Sequence, residues 1–210
     1  MTYNEDFYTV AAKRRTVRNF QDRPVEWEKI QRALECGMKA PTNNHARDWH
    51  FVFLKSPDLR KSILECSGAF SRTPDREFLD KMLSKLKDET QKQVYAYSVP
   101  LQEKILLTAP EVLLVCYRMG KKLQDCERLF DLNGFASAWL VVENILLALA
   151  AEGLFGVTMV PFRTDLLKEM LGIPDEYEVA TLLPFGYPAV EPVIHQITRN
   201  LEDTVHIDRW

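Results

Sequence analysis

The sequence predicts one mixed domain in which helices pack on a sheet. Segments with helical spacing alternate with short runs rich in aromatic and β-branched residues, without a regular βαβ rhythm. The run Glu111 to Tyr117, with Val112, Leu113, Leu114 and Val115 contiguous, reads as a strand buried on both faces and gives the sheet a centre. The stretch from about Asn133 to Ala151 reads as a helix apolar on nearly every side, so it must be buried in the domain middle or in a subunit interface. A chain of 210 residues buries a real core without staples, and no internal repeat, low-complexity tract or linker divides it. One domain, 1–210, is expected.

The elements follow in order. Phe7, Val10 and Ala11 fall at helical spacing between Asn4 and Lys13. Pro24-Val25 opens a second helix, in which Trp27, Ile30, Leu34 and Met38 recur on one side until Pro41 stops it. A polar loop, Thr42 to Asp48, leads into a strand over Trp49 to Leu54. Ser56-Pro57-Asp58 starts a helix with Leu59, Ile63 and Cys66 on its apolar side. From Pro74 to Leu107 the pattern stays helical and highly charged, with a break expected near Pro100; it reads as a solvated helical face or a lid. After the strand at Glu111 and the apolar helix, Gly153 caps that helix and Leu154 to Val160 is extended. Thr164-Asp165 starts a short helix ending before Pro174, and a strand is expected over Val179 to Leu183. The last residues show little periodicity, and Ile207 and Trp210 at their tip imply packing on something, such as another subunit.

Composition excludes several function classes. A formal net charge of −3 gives no general attraction to nucleic acid or an anionic membrane. Phe135 to Ala151, interrupted by Glu143 and Asn144, is short for a bilayer span, so a buried helix is expected. Cys36, Cys66, Cys116 and Cys126 form no C-x-x-C pair, and His45, His50, His195 and His206 show no ligand spacing; no metal site is expected and the thiols read as reduced and structural. The start MTYNEDFYTV lacks a signal-peptide pattern, which places the chain in the cytoplasm by default. G-x-G-x-x-G, the P-loop, H-E-x-x-H and G-x-S-x-G are all missing.

One stretch points to chemistry. Arg14-Arg15-Thr16-Val17-Arg18 sets a hydroxyl among three guanidinium forks, which match anionic oxygens bidentately. In an extended run Arg14, Thr16 and Arg18 would point one way and Arg15 the other. A solvated basic turn is the competing reading.

Taken together, these segments resemble the nitroreductase family of FMN-dependent oxidoreductases. Its R-R-S-x-R stretch reads here Arg14-Arg15-Thr16-Val17-Arg18, and its A-P-S-x-x-N-x-Q-x-W segment reads Ala40 to Trp49. Ala150 to Leu154, Val157-Thr158-Met159, Leu171 to Pro174 and Phe185 to Pro188 look like later landmarks in the family's order. The resemblance implies an α+β fold, a three-layer α-β-α sandwich, in an intertwined homodimer with FMN at the interface and the C-terminal arm exchanged onto the partner. By position it implies Arg14 and Thr16 on the FMN phosphate, Arg15 near the phosphate and ribityl chain, and Arg18 near N1 and the C2 carbonyl. Thr42 and Asn43 would line the flavin from the other subunit, and the backbone around Val160 would approach N5. Arg199 and Lys39 are further candidates for the phosphate.

The chain departs from the pattern at two places. His45 and Arg47 replace the family's Asn and Gln, so His45 either bonds flavin or substrate or is a structural loop histidine. Pro161 has no N–H to offer N5, which leaves Val160. The implied activity is a ping-pong transfer from NADH or NADPH through flavin N5 to a small-molecule acceptor, a nitroaromatic or quinone, with no catalytic protein side chain required. Phe70 and Phe130 could stack on such a substrate, or be ordinary core. Reductive dehalogenation, enone reduction, cyclic-peptide dehydrogenation and flavin breakdown use the same scaffold, and a non-catalytic flavin-storage protein or an interaction protein are readings from other classes.

Overall fold

The computed structural model describes residues 6–66, 76–102, 104–161, 163–192 and 200–210. Phe70, His195 and Arg199 lie outside these residues. Among the described residues four strands form one antiparallel sheet in the order β1-β2-β4-β3: β1 Trp49–Phe53, β2 Glu111–Arg118, β3 Phe155–Gly156 and β4 Tyr177–Gly186. The expected central strand is there, and β2 is buried along its length except at Arg118. Its side chains alternate between two cores. Leu113, Val115 and Tyr117 face one apolar cluster, while Val112, Leu114 and Cys116 face the other. Thus the sheet is the middle layer of an α+β sandwich.

One outer layer holds α2 (Trp27–Gly37) and α7 (Asn133–Ala151), whose Ile30, Ala33, Val141, Ile145 and Leu149 fill the first cluster. The two helices approach closely because Gly37 has no side chain; a Cβ there would sit 2.5 Å from Ile145 Cγ1. The other layer holds α3 (Pro57–Cys66), α6 (Ile105–Thr108) and α8 (Thr164–Leu171), with Ile63, Ile105, Leu106 and Leu167 in the second cluster. On β4 the two faces swap partway. Val115 pairs with Thr181 but Cys116 with Val179, so Ala180 is an extra residue and the inward parity flips around it.

α7 keeps the boundaries the sequence predicts. It ends in a left-handed Gly153 at φ 74°, with the Leu154 N–H donating to the Leu149 carbonyl at 2.8 Å, as a Schellman stop requires. The segment Leu129–Ala151 is long and apolar enough to cross a membrane by length and composition alone. Here it packs across the sheet. Its burial is only partial, for Ala136, Leu140 and Glu143 form an exposed stripe.

Among the described residues the charged region after Pro74 holds α4 (Arg76–Leu83), α5 (Glu89–Gln102) and α6, and the helical run breaks near Pro100, between Gln102 and Ile105. Pro100 sits near the end of α5, where its missing N–H removes one ladder bond and little helix remains to be disrupted. β4 is longer than expected and runs through Pro184, whose carbonyl accepts from the Val157 N–H at 3.2 Å. The buried Arg60, unmarked in the sequence, donates to the carbonyls of Leu54 (2.5 Å) and Ala109 (2.6 Å) and so ties α3 to the end of α6.

Candidate functional site

The sequence-marked residues fall into two groups on different sides of α7. The first follows α1 (Phe7–Lys13), whose Asp6 cap accepts from the Thr9 N–H at 3.0 Å. Thr16 makes a parallel bridge to Gly156, and the Val17 N–H donates to the Gly156 carbonyl at 3.1 Å. The arginine segment thereby lies along the short edge strand β3. Only glycine fits at 156, where a Cβ would stand 2.7 Å from the Pro184 carbonyl oxygen.

The strict side-to-side alternation expected for this segment is not kept, because one bridge at Thr16 is not a regular strand. Thr16 is exposed, Val17 packs against the core, and both Arg15 and Arg18 bury their Nε atoms without a hydrogen-bond partner among the described residues. Arg15 does donate from its other end to the Arg14 carbonyl at 2.6 Å. Arg14 Nε lies 3.5 Å from Glu143 on the exposed stripe of α7. Burial pushes the Arg18 guanidinium below its ordinary range, against the opposing pull of Tyr95 and Tyr97 on α5. Val160 is exposed, just after Met159, whose N–H is shared by the Leu182 carbonyl (2.8 Å) and the Thr181 hydroxyl (3.0 Å).

Buried, unmet guanidinium donors fit a ligand that carries anionic and carbonyl oxygens. FMN is such a ligand, through its phosphate and its pyrimidine carbonyls, and the arginine segment is compatible with it.

The second group is the Thr42–Asp48 loop at the other end. The Asn43 N–H donates to Ser137 Oγ at 3.3 Å, and Thr42 Oγ1 accepts from the Arg47 N–H at 3.4 Å. Asn44, His45 and Arg47 adopt left-handed backbones at φ 51°, 52° and 48°. Three such non-glycine residues in one short loop store strain of the kind that clusters at ligand sites. Lys39 is exposed in the turn after α2, its N–H donating to the Cys36 carbonyl at 3.1 Å. The loop borders a cavity of about 270 Å³, also lined by Trp49, Tyr117, Arg118, Lys121, Phe130 and Asp131. Phe130 is therefore a cavity residue, 61% exposed, and not core. His45 is exposed beside the cavity but does not line it.

Within one chain the two groups do not meet. Glu143 beside Arg14 and Ser137 beside Asn43 are separated by about 120° around the α7 axis and ~9 Å along it. Sequence reading missed what holds the second group. Asp48 accepts from the Tyr177 hydroxyl at 2.8 Å and from Arg118 at 3.3 Å, with His50 Nε2 3.1 Å from the same hydroxyl. The Asp48 hydrogen bond raises the Tyr177 hydroxyl above its ordinary range. Nothing local flags this network, since Asp48 and Tyr177 lie on β1's lead-in and on β4.

Comparison with known proteins follows the same lines. Residues 11–187 match the nitroreductase family. An iodotyrosine deiodinase from Nematostella vectensis is 27% identical over 195 residues, which cover 92% of this chain and 71% of the relative. A solved oxidized iodotyrosine deiodinase bound to FMN and 3-iodo-L-tyrosine has a TM-score of 0.75 at 21% identity, covering 98% of this chain and 100% of that one. The NADPH:FMN oxidoreductase from Vibrio harveyi, complexed with NAD+, gives 0.69 at 18% identity, covering 98% of this chain and 78% of that one. These solved structures establish the fold. Because the family match begins inside α1 and ends just past β4, it takes in the whole sheet and both groups of site residues, and the chain belongs to the nitroreductase family.

Proposed function

We propose that the protein is an FMN-dependent oxidoreductase, working as a homodimer, that takes electrons from NADH or NADPH and passes them to a small oxidised acceptor such as a nitroaromatic or quinone in alternating half-reactions. The observation that carries this reading is the pair of buried, unpartnered Nε atoms of Arg15 and Arg18. A buried donor left unmade costs about 1–3 kcal/mol, and more when charged, so a fold that keeps two of them beside one edge strand is built to receive an acceptor.

Bound FMN supplies the hydride and electron transfer. The chain's part is to bind and tune. Arg14, Arg15 and Thr16 would hold the phosphate end, with Arg199 and Lys39 as further candidates. Arg18 would place a cation at the pyrimidine side, where it favours the reduced cofactor. The Val160 N–H is the candidate donor toward N5, since Pro161 has none. Thr42, Asn43 and His45 would reach the cofactor held by the other subunit. Two features support the dimer: the two groups are apart in one chain, and the apolar residues Leu140, Leu201, Ile207 and Trp210 stand exposed.

A second reading, reductive dehalogenation of a halogenated phenol, is favoured by the deiodinase relative that matches 92% of this chain. One experiment separates the readings. The absorption spectrum of purified protein is recorded before and after anaerobic NADH, then NADPH, and reoxidation is followed with a nitroaromatic, a quinone or 3-iodotyrosine. Flavin bands that bleach with a nicotinamide and return with the nitroaromatic or quinone are the expected result. Bands that resist both nicotinamides yet, once reduced by dithionite, are reoxidised by 3-iodotyrosine favour dehalogenation; bands inert to every acceptor favour storage. A colourless protein that takes up no added FMN overturns the reading.

A further inference from the structure

We propose that the cavity beside the Thr42–Asp48 loop selects small aromatic acids, and that Arg47 is the specificity-determining residue that takes the acid's carboxylate. The inference rests on the functional reading above, because it makes this cavity the seat of the acceptor.

Charge bookkeeping around the cavity singles out Arg47. Asp131 is saturated: it accepts from Lys121 at 3.3 Å, from the Arg128 guanidinium at 3.0 Å and from the N–H groups of Glu127 and Arg128. Asp48 is saturated by Arg118 and the Tyr177 hydroxyl. Each carboxylate thus has its own cation. The guanidinium of Arg47 has no partner among the described residues, and it lines the same cavity. One uncompensated cation matches one monoanion, and a guanidinium meets a carboxylate as a planar bidentate fork.

Shape and wall chemistry name the rest of the ligand. Trp49, Tyr117 and Phe130 give the cavity aromatic surface, on which a flat ring packs. Its volume of about 270 Å³ lies just under the ~300–1,000 Å³ of drug-sized sites and suits a single substituted ring. Arg47 is also fixed at its base. Its backbone is left-handed at φ 48°, and its N–H is held by Thr42 Oγ1, so the side chain starts from a set point on the cavity rim.

The test uses flavin-loaded protein and an isosteric pair, 4-nitrobenzoate and the neutral 4-nitrobenzamide, in wild type, Arg47→Gln and Arg47→Lys. Wild type is expected to favour 4-nitrobenzoate in kcat/KM by about tenfold, Arg47→Gln to lose that ratio, and Arg47→Lys to keep part of it. A wild-type ratio near one, or a ratio unmoved in Arg47→Gln, overturns the proposal while leaving the flavin chemistry intact. A change in the NADPH-to-NADH ratio in place of the acceptor ratio also overturns it, since the cation would then read the donor's phosphate. Should the protein bind no FMN, the functional reading falls and benzoate binding to the flavin-free protein, followed by saturation-transfer NMR, decides alone. Binding that weakens about tenfold in Arg47→Gln sustains the proposal, and no binding ends it.

Discussion

The Arg14–Arg18 segment and the Thr42–Asp48 loop both leave the end of a helix, and they are held in opposite ways. The arginine segment is fastened by its backbone, through Thr16 and Val17 on Gly156, and by Val17 in the core. Two of its donors, the Nε atoms of Arg15 and Arg18, have no partner among the described residues. The second loop is fastened by side chains, through Thr42, Ser137, Asp48, Tyr177 and Arg118, and apart from Arg47 the cations and carboxylates lining its cavity are paired. A backbone-built cradle with spare charge suits a ligand that never changes. A side-chain-built rim can be retuned residue by residue, which suits the choice of substrate.

Replacing Arg18 by Leu is expected to give the largest effect. Losing a charge-assisted bond worth about 2 kcal/mol weakens FMN binding roughly thirtyfold. Stability moves the other way. Because burial already disfavours the Arg18 cation, the flavin-free variant should unfold at the same or higher urea concentration than wild type. Fluorescence titration with FMN and urea unfolding of flavin-free protein check both halves. A variant that binds FMN normally, or that loses stability together with binding, would make Arg18 a structural residue and erase the contrast between the two regions.

Tyr177→Phe probes the other region and is expected to act more weakly. It removes the donor to Asp48 and the partner of His50, with a small loss of stability expected in denaturant unfolding. Asp48 keeps Arg118, so the fold survives. The KM for the acceptor should rise while FMN affinity stays within about twofold. Equal losses in both would show that the rim and the cradle are one unit.

How much of this was legible in the sequence follows from how local each feature is. Helices α2 and α7 are readable because their apolar spacing is local and their stops, Pro41 and Gly153, follow within a few residues of their ends. Strand β2 was readable as a contiguous apolar run. β4 was read too short, since Pro184 looks like a breaker until its place opposite Val112 is known. The arginine cluster announced itself as contiguous charge, whereas its two buried Nε atoms depend on the edge strand beside it. Arg60 and Tyr177 carried no signal, because their partners are carbonyls and a carboxylate brought near only by the fold.

The smallest expected effect concerns the downstream anchor of the arginine segment. The Gln21 N–H donates to the Tyr187 carbonyl at 2.9 Å, and the Tyr187 hydroxyl donates to Glu26 at 2.5 Å while accepting from Lys29 at 2.9 Å. Arg23 stacks over the same ring, 4.0 Å from its centre. The Tyr187 hydrogen bond, foremost among several causes, pulls the Glu26 carboxyl from 4.5 down to about 2. A depressed carboxyl stabilises the fold fully above its unfolded value and loses that contribution as pH falls through its folded value, so the window runs from about pH 4.5 to about pH 2. Tyr187→Phe lacks this bond at every pH. Wild type should therefore melt above Tyr187→Phe at about pH 5 by a gap that narrows toward about pH 2.5, as Glu26 begins to take up its proton. Other carboxylates shift in the same direction, including Asp165 beside Arg163, which is why the difference between the two proteins and not either curve alone is the measurement. A gap that stays constant across the window would mean that Tyr187 holds the segment through the packing of its ring, and that Glu26 adds nothing to the anchor.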